Sequence, residues 1–262
     1  MDPSSQVIND FKMDNAMAYV KKLNEEQKEV RVTMTAIFTL AAGWGLHKMR
    51  RDVGRLPWGF FRADKQMGVT VLVDVEGGKD LCPVTIWDAH KMTIIEVAKF
   101  INDKVQRAKK GKDENHNNST NLANFIPSFL AQPLIFAVTY AGAVLGLTVK
   151  PLSLSPKSFG HTVLTNVGTL GYTSAIAPLC PALHQMSLLC TGAIQKRAVV
   201  GPDDKIGVAN MMTMMATGDH RYGDAATFIP FFKSFRGFLE DPANFDPTEY
   251  KDVPHYSERK AA

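Results

Sequence analysis

The chain has 262 residues, of which 45% are hydrophobic and 21% charged, with 14 Pro, 19 Gly and 3 Cys. This composition excludes a disulfide scaffold, a long coiled coil and a disordered tail protein. The formal net charge of +4 arises from 30 Lys and Arg against 26 Asp and Glu. The densest basic groups, Lys48-Met49-Arg50-Arg51 and Lys109-Lys110-Gly111-Lys112, fall at the C-terminal ends of helix-like stretches, where cations complement the helix dipole, so nucleic acid is not an expected partner.

The first residues, Met1-Asp2-Pro3-Ser4-Ser5-Gln6, lack the apolar run of a signal peptide and the Arg-rich helix of a transit peptide, so no cleaved targeting segment is expected. Cys82, Cys180 and Cys190 have no metal-ligand spacing and suit reduced thiols; no disulfide, no metal site and a cytoplasmic location are expected. Val32 to Arg51 carries Ile37, Leu40, Ala41 and Trp44 at the i, i+3, i+4, i+7 spacing of one helix face. Arg55 to Gly68 is a connection. Gly68 to Glu76 alternates Val69, Val71, Val73 and Val75, the pattern of a strand with one dry face. After a Gly77-Gly78 turn, Val84 to Trp87 is a short apolar run. Thr93 and Glu96 form a capping box for a helix whose buried stripe is Ile94, Val97, Ala98, Ile101 and Val105.

Residues 109–121 are polar and loop-like. From Asn115 to Val149 there is no charged residue, and Pro133 to Val149 is almost wholly apolar, with a small-xxx-small pair at Gly142 and Gly146. At seventeen residues it is at the short limit for a bilayer span and is interrupted by Thr139, Tyr140 and Thr148, so a buried or subunit-contact helix is expected and membrane contact is not. His161 to Asn166 and Met186 to Thr191 read as strands. Arg197 to Val200 and Ile206 to Met215 face each other across Gly201-Pro202-Asp203-Asp204 as a hairpin. Methionines 211, 212, 214 and 215 read as a soft core strand rather than a copper site. The last helix runs from about Ala225 to Glu240 with Phe228, Phe232, Phe235 and Leu239 on one face. Strands interleaved with helices and hairpins favour an α+β two-layer sandwich with a mixed sheet and flanking helices over a doubly wound parallel sheet.

No phosphate loop, dinucleotide-binding turn or nucleophile elbow is present. His47, His90, His116, His184 and His255 read as surface or structural histidines. His220 differs. It sits in Asp219-His220-Arg221-Tyr222-Gly223-Asp224-Ala225, where a long apolar strand meets a helix start, a position that presents an imidazole as a general base.

DHRYGDA resembles the D-H-R-x-x-D-G motif of the catalytic domain of the dihydrolipoamide acyltransferases of 2-oxoacid dehydrogenase complexes, a family that shares its fold with chloramphenicol acetyltransferase. HTVLTNVGTLG, residues 161–171, resembles that family's T-x-[ST]-N-x-G-x-x-G strand and turn. FRGFLEDP, residues 235–242, resembles its closing helix. Residues 68–107, with EGGKDL, Asp88-Ala89-His90-Lys91 and the capped helix, resemble the family's stretch in which an aspartate-bearing turn precedes a helix. The resemblance implies a single acyltransferase domain over 1–262, with an apolar helical insertion at about 121–160.

It also implies chemistry. His220 matches the base that deprotonates a thiol, of coenzyme A or of dihydrolipoamide. Thr165 matches the hydroxyl that donates to the tetrahedral oxyanion. Asp224 matches the aspartate that holds the site, with Arg221 as its structural neighbour. The family's site lies between subunits of a homotrimer, so a homo-oligomer, a trimer or a larger cage, is implied. Coenzyme A or an acyl-CoA is the implied substrate, no lipoyl attachment is expected in this chain, and a lipoylated carrier would act in trans. Ala225 departs from the motif glycine. With no carrier arm expected in this chain, that departure leaves a non-catalytic trimeric or cage-forming scaffold as the alternative.

Overall fold

The computed structural model describes residues 3–74, 81–109, 128–147, 159–180, 183–201 and 203–245. The Gly77-Gly78 turn, His116, His255, Pro202, most of the 109–121 loop and both ends of the 121–160 segment lie outside the described residues.

Nine strands and five α-helices follow one another among the described residues: β1 (Ser4–Lys12), α1 (Asp14–Glu26), α2 (Met34–Lys48), β2 (Gly54–Arg55), β3 (Arg62–Ala63), β4 (Gly68–Asp74), β5 (Leu81–Trp87), α3 (Ile94–Lys109), α4 (Ser128–Thr139), β6 (Thr162–Asn166), β7 (Ser187–Thr191), β8 (Gln195–Val200), β9 (Ile206–Asp219) and α5 (Ala225–Glu240). Seven strands form one sheet in the order β1-β9-β7-β6-β4-β5, with β8 also on β9; β2 and β3 pair separately. β4, β6 and β7 run parallel and the other pairings are antiparallel. The sheet is mixed, as the interleaved pattern predicts.

The capping box forms as read: Thr93 N donates to Glu96 Oε2 at 2.7 Å and Glu96 N to Thr93 Oγ1 at 3.3 Å. The hairpin also forms, with Val200 opposite Ile206 and Gly201 N donating to Lys205 O at 2.8 Å. Two elements carry no clear sequence signal. β1, SSQVINDFK, has no strict alternation yet pairs along its whole length with Met211 to Asp219 of β9. α1 buries only Ala16.

α2 is buried on nearly every side, from Ala36 to Leu46, rather than along one face. The sheet packs on one side of it and α5 on the other, so its apolar run is continuous. Gly45 is what lets α5 approach: a Cβ there would lie 2.6 Å from the Phe231 ring. Consequently the core face of α5 is Phe231, Phe235, Phe238 and Leu239; of the stripe read from the sequence, Phe235 and Leu239 are buried, while Phe228 and Phe232 only pack against the margin of the core. Each such phenylalanine contributes roughly 1.5–3 kcal/mol through burial.

Helices and sheet enclose the main core. The opposite face of the sheet carries a smaller cluster, Val163, Leu188, Cys190 and Met215, covered by Val167, Ala175, Ala177 and Leu179. α4 ends in a π-helical turn, Tyr140–Val144, and Leu130, Leu134, Ile135 and Phe136 are exposed. The apolar helix is thus not buried within one chain, and no helix among the described residues is long and apolar enough to cross a membrane.

Candidate active site

His220 follows the last residue of β9. Its position is fixed through the backbone: Asp219 N donates to Met186 O at 2.9 Å, His220 N to Pro3 O at 2.9 Å, and Tyr222 N to Asp219 O at 3.0 Å. The turn is therefore clamped between the start of β1 and the start of β7, while the imidazole itself is exposed. Asp219 is buried, and Arg221 closes on it through Nε at 3.0 Å and Nη2 at 2.6 Å. Arg221 thus braces the motif through Asp219, where the resemblance had made it a neighbour of Asp224. Asp224 is the N-cap of α5, its Oδ1 accepting from Thr227 N and Thr227 Oγ1, both at 2.9 Å. Ala225 is the first residue of the helix and is exposed, so its methyl meets no crowding.

His220, Arg221, Gly223 and Asp224 line a cleft of about 720 Å³ together with Asp52 and Phe61. Beneath it, Arg55 Nε contacts Asp64 Oδ1 at 3.0 Å, and His161 Nε2 lies 3.0 Å from Asp64 Oδ2. Gly68 N donates to His161 Nδ1 at 3.1 Å, so Nε2 carries the ring proton and donates to Asp64. Tyr222 lies within reach of the charges of Asp64 and Arg55. Burial first, then the charges of Asp219 and Asp64, push its phenol well above the ordinary tyrosine value and keep it protonated. Sequence reasoning missed this network because its members lie far apart along the chain; the one local sign is a histidine directly before an apolar strand.

Thr165 is half-buried on β6 and shares its rung with Leu72, Cys190 and Met215, on the sheet face away from the helices. The T-N-V-G-x-x-G pattern has a physical basis here. Asn166 Oδ1 accepts from Gly168 N at 3.1 Å. A Cβ on Gly168 would sit 2.5 Å from Gly192 O, and Gly171 has φ +87°. Burial pushes the Cys190 thiol up, so it is not a thiolate nucleophile beside Thr165.

The structure does not bring Thr165 and His220 together in one chain. His220 lies beyond the end of β9, several residues from the Met215 rung, and two strands away from β6. With about 3.4 Å per residue along a strand and about 4.8 Å between strands, their backbones are roughly 15–20 Å apart. Among the described residues no group of three His, Cys, Asp or Glu could hold a metal ion.

The sheet order, the helices on one face and the histidine turn between the longest strand and the last helix define the chloramphenicol acetyltransferase class of α+β fold. Chloramphenicol acetyltransferase itself superposes with TM-score 0.53 and 12% identity over 91% of this chain and 89% of that one. The probable dihydrolipoamide acetyltransferase of Listeria monocytogenes superposes with TM-score 0.69 and 16% identity over 94% and 88%. The cubic core of a pyruvate dehydrogenase multienzyme complex gives 0.66 and 12% over 92% and 83%.

The chain belongs to the family of 2-oxoacid dehydrogenase acyltransferase catalytic domains, whose pattern matches residues 2–122 and 150–245. The match passes over the centre of the apolar segment. A curated relative, the dihydrolipoyllysine-residue acetyltransferase component of the pyruvate dehydrogenase complex of Rickettsia felis, is 23% identical over 228 residues. That alignment covers 86% of this chain and 44% of the relative, so the chain spans less than half the relative's length.

Proposed function

We propose that the protein is a coenzyme A-dependent acyltransferase that moves an acyl group between thioesters, from an acyl-CoA to dihydrolipoamide or another thiol, or in reverse. The observation that carries this reading is an exposed histidine on a clamped turn beside a cleft, in a fold whose relatives are acyltransferases. A free thiol, with a pKa of about 8.5, is mostly protonated near neutral pH. His220 takes its proton, the sulfur attacks the thioester carbonyl, and the tetrahedral oxyanion accepts a hydrogen bond from Thr165 Oγ1. Collapse breaks the original carbon–sulfur bond, and the departing thiolate recovers the proton from His220. Asp224 acts by fixing the start of α5, and hence the histidine turn.

The separation of Thr165 from His220 within one chain supports a site completed by two copies; a homotrimer and a lipoylated carrier acting in trans are what membership of the family adds to this reading. The test is acyl transfer from several acyl-CoAs to dihydrolipoamide. His220→Ala is expected to reduce it to background while leaving the oligomer intact. Equal background transfer by wild type and variant would overturn the proposal.

A second reading, a non-catalytic scaffold, draws on the exposed apolar face of α4. Mass photometry separates the two: a large closed particle that binds no coenzyme A favours the scaffold, whereas a trimer that binds it favours the enzyme.

A further inference from the structure

A second cleft lies apart from the one at His220. It has about 1020 Å³ of free space and lies between the helix-facing side of β1, β7 and β9 and the outer half of α5. Its walls are largely apolar: Val7 and Leu189 line it from the sheet, and Phe228 and Phe232 from α5. Phe228 and Phe232 belong to the stripe that the sequence places in the core with Phe235 and Leu239; Phe231 and Phe238 are buried in their stead, leaving these two rings partly open to the cleft. Val7 is 37% exposed, a β-branched apolar side chain turned into open space.

The charged groups lining this cleft are all cationic. Lys233 and Arg236, one turn apart on α5, stand over it. Arg236 is held by stacking on Phe11 at 4.8 Å and by Glu240 Oε1 at 3.4 Å. Lys233 is exposed and has no acidic partner among the described residues. Along the strand the cleft runs from Ser5 to Asn9 and along the helix from Ala225 to Arg236. At about 3.4 Å per strand residue and 1.5 Å per helix residue, that is roughly 13–16 Å, the length of a medium-chain acyl group.

From the apolar walls, the cationic rim and this length, we propose that the cleft is a binding site for a medium-chain carboxylate, with its carboxylate at Lys233 and Arg236 and its chain lying between Val7 and the two phenylalanine rings. Removal of the chain from water drives binding, and the paired cations select the anionic head.

Titration calorimetry of the full-length protein with sodium decanoate, below its micelle concentration, tests this. Saturable binding at one ligand per chain is expected, and shortening the chain to hexanoate should weaken it on the order of a hundredfold. Decanol, which keeps the chain and loses the charge, should bind at least about tenfold more weakly than decanoate. Lys233→Glu changes an exposed side chain and leaves the core untouched; it should weaken decanoate at least about tenfold and leave decanol unaffected. Val7→Trp, which fills the cleft, should abolish binding of both. Decanoate binding that is unsaturable, or unchanged in Lys233→Glu, would overturn the proposal. So would a cleft occupied by a second copy of the chain, seen as no decanoate binding together with a sedimentation coefficient that changes in Lys233→Glu.

Discussion

His90 shows how one residue's surroundings reach the stability of the whole fold. Its ring stacks on His47 at 4.2 Å between centroids and 23° between planes, with Trp44 edge-on to both. Burial first, then the His47 charge, lowers its pKa from 6.5 to about 4. Asp88 opposes the shift, while Lys91 and Arg50 add to it. The folded state therefore binds the proton less readily than the unfolded chain. The stability that comes from neutral His90 is complete above pH 6.5 and is lost progressively as pH falls toward about 4. Urea unfolding across this window should show wild type losing stability on acidification more steeply than His90→Phe, which keeps the ring stack and removes the proton site. Parallel pH profiles for the two proteins would show that His90 contributes nothing to the acid limb. Comparing variant with wild type cancels the carboxylates that titrate in the same range.

At the scale of elements, what was legible in the sequence depended on whether a signal was local. The Thr93 capping box, the β8–β9 hairpin and the T-N-V-G-x-x-G turn each rest on residues close together in the chain and form as read. β1 and α1 have weak internal patterns because β9 and α5, some two hundred residues away in sequence, supply their partners. The face of α5 was ambiguous for a related reason. Phenylalanines at 228, 231, 232, 235 and 238 offer two overlapping helical stripes, and only the space left by Gly45 on α2 selects between them. His220, Asp224 and Thr165 were legible as motif positions, whereas Arg55, Asp64, His161 and Tyr222, with only His161 fully buried, were not. Backbone packing behind Thr165 is the other hidden element. Gly168 approaches Gly192, and a Cβ on Gly192 would lie 1.9 Å from Thr173 O. Because the obstacle is backbone rather than a movable side chain, Gly192→Ala should destabilise the fold by about 1–3 kcal/mol, read from the urea midpoint. It should also lower acyl transfer per folded molecule, since Thr165 pairs with Cys190 two residues before that glycine. Unchanged stability would mean that the 167–174 segment can withdraw from the sheet without cost.

At the scale of the whole molecule, the proposed catalytic pair, His220 and Thr165, is not brought together within one chain. The hydroxyl lies on a rung in the interior of the sheet, and the imidazole lies past the end of β9. Side chains of this size span only a few ångströms, far short of the roughly 15–20 Å between their backbones, so a working pair needs a neighbour with its own sheet edge turned toward the first. Complementation tests this directly. Thr165→Val removes only the oxyanion donor, a loss of roughly 3–4 kcal/mol in the transition state, and His220→Ala removes only the base. Each variant alone is expected to be nearly inactive. If the two residues meet across a subunit boundary, co-refolding the variants in equal amounts places an intact His220 against an intact Thr165 wherever a Thr165→Val subunit donates its histidine to a His220→Ala neighbour. With random assembly in a ring that is one half times one half, so about a quarter of wild-type activity should return, and it should return only after subunits exchange. Mixing the intact oligomers without exchange should restore none. If both residues instead served a site within one chain, no mixture could recover activity, and the trans arrangement would fall with it.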